Sequence, residues 1–108
     1  MKLKLAKGHV SLRANVIEMQ ALVTDGSFFE TLTLAGGELN IVVSLVADGV
    51  AKLQFDSSTA SFRFVFPRHA IIAELARPSR GGVGGDFDRG VFSLAIDMHD
   101  VRERAARP

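Results

Sequence analysis

Between positions 28 and 66, short apolar segments with a period of two are separated by turns of Gly, Asp and Ser. This punctuation limits the fold more than any other feature of the sequence. Side chains alternate between the faces of a strand, so a period of two marks strands, whereas a helix needs one of 3.6. The clearest segment is 39–47. It is rich in β-branched residues, with Leu39, Ile41, Val43 and Leu45 on one face and Val42 and Val46 on the other. A strand apolar on both faces is expected at the centre of a sheet, covered on both sides. Asp48-Gly49 follows, and 50–55 forms the next segment. Asp-Gly between two such runs favours a tight hairpin, because its turn needs positive φ at both central residues.

The pattern extends both ways. Asp56-Ser57-Ser58-Thr59 is a turn of small polar residues, and after it Phe62, Phe64 and Phe66 fall on one face. Upstream, Phe29, Thr31 and Thr33 share one parity and Phe28, Leu32 and Leu34 the other, before Ala35-Gly36-Gly37 turns the chain. Residues 28–66 therefore read as a four-stranded antiparallel meander.

The flanks follow the same logic. Leu3 and Leu5 are out of phase with Val10, Leu12 and Ala14, and Gly8 sits at the switch, where a bulge or bend is expected. Residues 15–24 fit a buried strand or a short helix. A strand is preferred, because Asp25-Gly26 looks like another hairpin turn. Pro67 ends the meander, and 68–77 suits a short helix stopped before Pro78, with a strand continuing through Ile71-Ile72 as the competing reading. Residues 78–86 carry Gly81, Gly82, Gly84 and Gly85 and read as a flexible loop, and 91–96 as one more strand. Asp97 is placed to cap a second helix over 98–106. No internal repeat of fixed period is visible.

The expectation is a single mainly-β domain over 1–108. About six to eight strands form an antiparallel meander, closed as a barrel or stacked as a two-layer sandwich, with one or two short helices. At 108 residues with 47% hydrophobic side chains, the chain can bury a core without cross-links, and it has no cysteine to make them.

The absences narrow the chemistry. Without cysteine there is no thiolate metal site and no cysteine nucleophile. His9, His69 and His99 stand apart in the sequence, with no pairing at metal-ligand spacing. The glycines at 81–85 lack the Gly-Lys-Ser/Thr ending of a phosphate loop. Asp86-Phe87-Asp88 opens like a calcium loop, but Arg89 follows and no distant Glu completes it. No Gly-x-Ser-x-Gly elbow is present. No catalytic residue, metal ligand or cofactor is assigned.

Formal charge is +1, unevenly spread. Residues 1–15 carry Lys2, Lys4, Lys7 and Arg13 with no acid, while 16–62 hold six acids against Lys52. No secretory leader or membrane-length apolar run is visible, so a cytoplasmic protein away from membranes is expected. Mean hydropathy is +0.21. An apolar sheet with open edges favours self-association. The leading reading is a small, non-enzymatic, homo-oligomeric binding or interaction module that holds an apolar small molecule on a concave sheet face. Its binding residues are Phe62, Phe64 and Phe66, with Arg80 and Arg89 flanking the glycine loop. The alternative is a nucleic-acid binder using the basic N-terminal strand and the Arg-rich C-terminal tail. It ranks second because the acidic middle segment would repel a duplex, and because Tyr and Trp, the better stacking residues, are missing.

Overall fold

The computed structural model describes residues 1–88 and 90–97. In chain order the elements are β1 (Lys2–Ala6), β2 (His9–Ala14), α1 (Val16–Asp25), β3 (Ser27–Leu34), β4 (Gly37–Val46), β5 (Lys52–Asp56), β6 (Ser61–Pro67), α2 (Arg68–Ala76), β7 (Val83–Phe87) and β8 (Gly90–Ile96). The eight strands form two four-stranded sheets, ordered β1-β2-β8-β7 (sheet A) and β3-β4-β6-β5 (sheet B). No ladder joins the sheets, so the architecture is a sandwich and not a closed barrel. The helix expected over 98–106 lies outside the described residues.

Both sheets are mixed, which corrects the meander. Each has a parallel central pair, β2 with β8 and β4 with β6, flanked by antiparallel outer strands. Asp48-Gly49 does not join paired neighbours. The chain leaves β4, crosses to the far edge as β5, and returns antiparallel as β6 beside β4. Strand β4 is central, as expected, with Ile41 and Val43 fully buried, but Val42 faces outward and is only half-buried.

Residues 15–24 form a helix, not a strand. Asn15 Oδ1 accepts the Glu18 N–H at 2.8 Å and Glu18 Oε1 accepts the Asn15 N–H at 3.0 Å, a reciprocal capping box. Gly26, at φ 80°, donates its N–H to Leu22 O at 2.8 Å. Asp25-Gly26 is thus a helix end in left-handed conformation. The glycine-rich stretch also departs from expectation, because β7 runs from Val83 to Phe87. A Cβ at Gly84 would run into the carbonyl oxygen of Phe92 on β8. The glycines allow a close backbone approach.

The two halves of the chain have one architecture. Residues 2–46 and 52–96 each form strand–strand–helix–strand–strand, and exchanging them maps each sheet onto the other. Met19 and Ile71 each lie four residues after their N-caps, and both are fully buried. Leu22 and Glu74 each lie seven after, and both are buried. The helices follow the central strands β2 and β6, pack on each other, and cover one end of the sandwich. Arg68 Nη1 donates to Val23 O at 2.5 Å across that contact.

The core lies between the inward faces. Leu12, Phe92 and Leu94 of sheet A meet Ile41, Val43, Phe64 and Phe66 of sheet B, with Met19, Leu22 and Ile71 from the helices. Phe92 sits 6.2 Å from Phe64 and 6.0 Å from Phe66, centroid to centroid, both tilted. Tilted ring pairs at such distances add about 0.5–1.5 kcal/mol beyond area burial.

Val43→Asp is therefore expected to cost more than about 3 kcal/mol, because it sets an unpaired carboxylate among these rings. Chemical denaturation measures this, and an unchanged midpoint would contradict the placement of β4.

Candidate functional site

Two depressions stand out, on different parts of the sandwich. The larger, about 910 Å³, opens at the end away from the helices, where the hairpin turns gather. Its apolar lining is Val10, Leu53, Phe55, Phe62 and Phe87, and its polar lining is Gln54, Asp56, Ser57, Arg63 and Asp88. Phe62 and Phe55 are register partners on β6 and β5, with ring centroids 5.0 Å apart. The aromatic row Phe62, Phe64, Phe66 thus runs out of the core and ends in the cleft. Phe64 and Phe66 are fully buried, whereas Phe55 keeps 56% of its surface exposed. At the rim, Asp56 Oδ1 accepts from the Ser58 hydroxyl at 2.6 Å and the Ser58 N–H at 3.0 Å. The hydroxyl chiefly, with the N–H, holds the Asp56 carboxyl below the usual carboxylate range.

The smaller depression, about 260 Å³, lies on the outer face of sheet A. Lys4 of β1, His9, Ser11 and Arg13 of β2, and Ser93 and Ala95 of β8 line it, joined by Arg80 and Gly81. Alternation explains its polar members from β2: Val10, Leu12 and Ala14 point inward, which leaves His9, Ser11 and Arg13 outward. Lys4 is opposite Ser11, and Ser11 opposite Ser93. His9 Nε2 is 3.4 Å from Ser93 Oγ.

Arg80 reaches this face because its loop is anchored. Glu74, only 7% exposed, accepts the Ser79 N–H at 2.6 Å and the Ser79 hydroxyl at 3.0 Å. Ser79 Oγ in turn accepts the Gly82 N–H at 3.0 Å. A buried carboxylate is retained only where hydrogen bonds replace water, and Ser79 supplies two. A Cβ on Gly82 would lie 2.7 Å from the Ala95 Cβ, so the loop closes directly on the sheet.

The structure distributes the residues singled out in the sequence. Phe62 lines the large cleft, Phe64 and Phe66 belong to the core, Arg80 stands at the small groove, and Arg89 lies outside the described residues. Phe55, Phe87, His9, Ser93 and the Glu74–Ser79 anchor were missed. Alternation along 9–14 carried a usable signal for His9, Ser11 and Arg13, whereas pairing of β2 with β8 had none. Among the described residues no three His, Asp or Glu side chains gather to hold a metal ion. No helix among them is long and apolar enough to cross a membrane. Comparison with protein-family models, with curated proteins and with solved structures finds no match to this chain.

Glu74→Leu tests the anchor, since Leu22 fills the equivalent place in the first half. The variant is expected to fold while hydrogen exchange at the Ser79 and Gly82 amides accelerates about tenfold or more. Unchanged protection at both amides would show that the carboxylate does not hold the loop.

Proposed function

We propose that this chain is a small, non-enzymatic, homo-oligomeric binding module of the cytoplasm, and that its ligand is an apolar small molecule held in the cleft at the hairpin end. The observation that carries the reading is the Phe55–Phe62 pair, an aromatic floor to the cleft in which Phe55 is 56% exposed. Exposing large rings forgoes about 1.5–3 kcal/mol for each one fully buried, so such a floor is best explained by something that covers it. The volume falls within the range of small-molecule sites, about 300–1,000 Å³. Asp56, Asp88 and Arg63 around the opening favour a ligand with one polar end.

The test is a fluorescence titration with a naphthalene-based apolar probe, followed by competition with unlabelled aromatic and acyl compounds. Saturable one-site binding is expected, weakened about tenfold in Phe55→Ser, a substitution at an exposed position that spares the core. Absence of saturable binding, or equal binding by Phe55→Ser, would remove the cleft from consideration.

Self-association is supported by the β3 edge of sheet B. Strand β3 is eight residues long, pairs among the described strands with β4 alone, and leaves Phe29 65% and Leu34 56% exposed. Its charged residue is Glu30, so the edge lacks the lysines that usually discourage strand addition. Sedimentation equilibrium at micromolar concentration is expected to give a dimer, returned to 11.6 kDa by Phe29→Lys. A clean 11.6 kDa species for the unaltered chain would end this part of the reading.

A further inference from the structure

We propose that the groove on the outer face of sheet A is a binding site for a small phosphate-bearing anion, separate from the apolar cleft. Three strands and one loop bring Lys4, His9, Arg13 and Arg80 around it. Its floor is made of short side chains, Ser11, Ser93 and Ala95, which leaves room between the long cationic ones. Among the described residues no carboxylate lines it. The Asp97 carboxylate at the end of this sheet lies 3.6 Å from Lys2, which is not part of the lining. Cations gathered without a facing acid repel one another, and an anion is the species that reverses that repulsion.

The donors suit a tetrahedral oxyanion. Arginine offers a planar fork that pairs with two phosphate oxygens at once, lysine a point charge, and serine hydroxyls donate to the remaining oxygens. Ser11 and Ser93 are opposite one another on adjacent strands, so both hydroxyls belong to one short stretch of the floor.

Arg80 also starts from a restrained position. Ser79 is held by buried Glu74, Gly82 donates to Ser79, and the loop lies so close to the sheet that Ala95, on the outer face, is only 4% exposed. A loop already fixed loses less entropy when the ligand arrives. The volume of about 260 Å³ fits one phosphate group with a small substituent, not a polymer backbone.

The experiment is an amide NMR titration of the full chain with inorganic phosphate, held at constant ionic strength with chloride. Saturable shifts are expected at Ser11, Ser93, Ala95 and Gly81, with none at Phe55 or Phe62. Arg80→Ala, at an exposed loop position, is expected to keep the native spectrum and weaken binding about tenfold, and Lys4→Gln to weaken it by a similar factor. Absence of saturable shifts beyond those of chloride would overturn the proposal. So would unchanged phosphate affinity in both variants. A parallel titration with a short oligothymidylate is expected to bind no tighter than phosphate. Much tighter binding that falls steeply with salt would assign this face to nucleic acid instead.

Discussion

A parallel pair of strands cannot be closed by a two-residue turn, and each sheet of this protein is centred on one. After β2 the chain leaves sheet A through α1 and enters sheet B, and after β6 it leaves sheet B through α2 and returns to sheet A. The helices consequently lie together at one end, and the hairpin turns gather at the other. Among the described residues no helix covers the end carrying the turns, and the Phe55–Phe62 pair lines the cleft there, with Phe55 exposed.

The shared plan of the two halves shows where the sequence departs from what packing alone requires. Leu12 and Phe64 hold equivalent inward places, as do Met19 and Ile71, and all four are apolar and buried. The departures are polar. Glu74 replaces a leucine and is bound to Ser79. Asn15 caps α1 with its side chain, whereas Pro67 begins α2 with no side-chain hydrogen bond. Glu30 has Gly85 at the matching place, and it lies 3.3 Å from the Met1 amino group, which also contacts Glu18 at 2.5 Å. Desolvation opposes the charge on that amine, but the Glu18 hydrogen bond and the charges of both carboxylates outweigh it and raise its basicity.

Strand existence was legible because period two is written locally, residue by residue. Pairing was not, because it joins segments far apart. Nothing in 9–14 says that its neighbour is 91–96. Asp48-Gly49 misled for the same reason, since a turn signal reports a bend without naming which strands it brings together. The strand reading of 15–24 lost to a signal that was present, Asn15 and Glu18 at capping-box spacing. In the glycine stretch the residue type was informative, but it reported backbone contact with β8, not freedom. For the candidate sites, Phe62 and Arg80 could be singled out from sequence. Their company could not, because Phe87 and Ser93 arrive from the last strands of the chain.

Sheet B is assembled from one contiguous stretch, residues 27–67, whereas sheet A joins residues 2–14 to residues 83–96. The two sheets are unequal in the order of folding, although they match in form. Closing a loop costs entropy that grows with its length, and pairings distant in sequence slow the search. During synthesis the first two strands emerge with their mutual hairpin available but their parallel partner still unmade. Phe92, the ring that seals Phe64 and Phe66, belongs to that late partner. Until it arrives, Phe64 and Phe66 lack the ring that packs on them, so the interval before β8 docks exposes aromatic surface to aggregation.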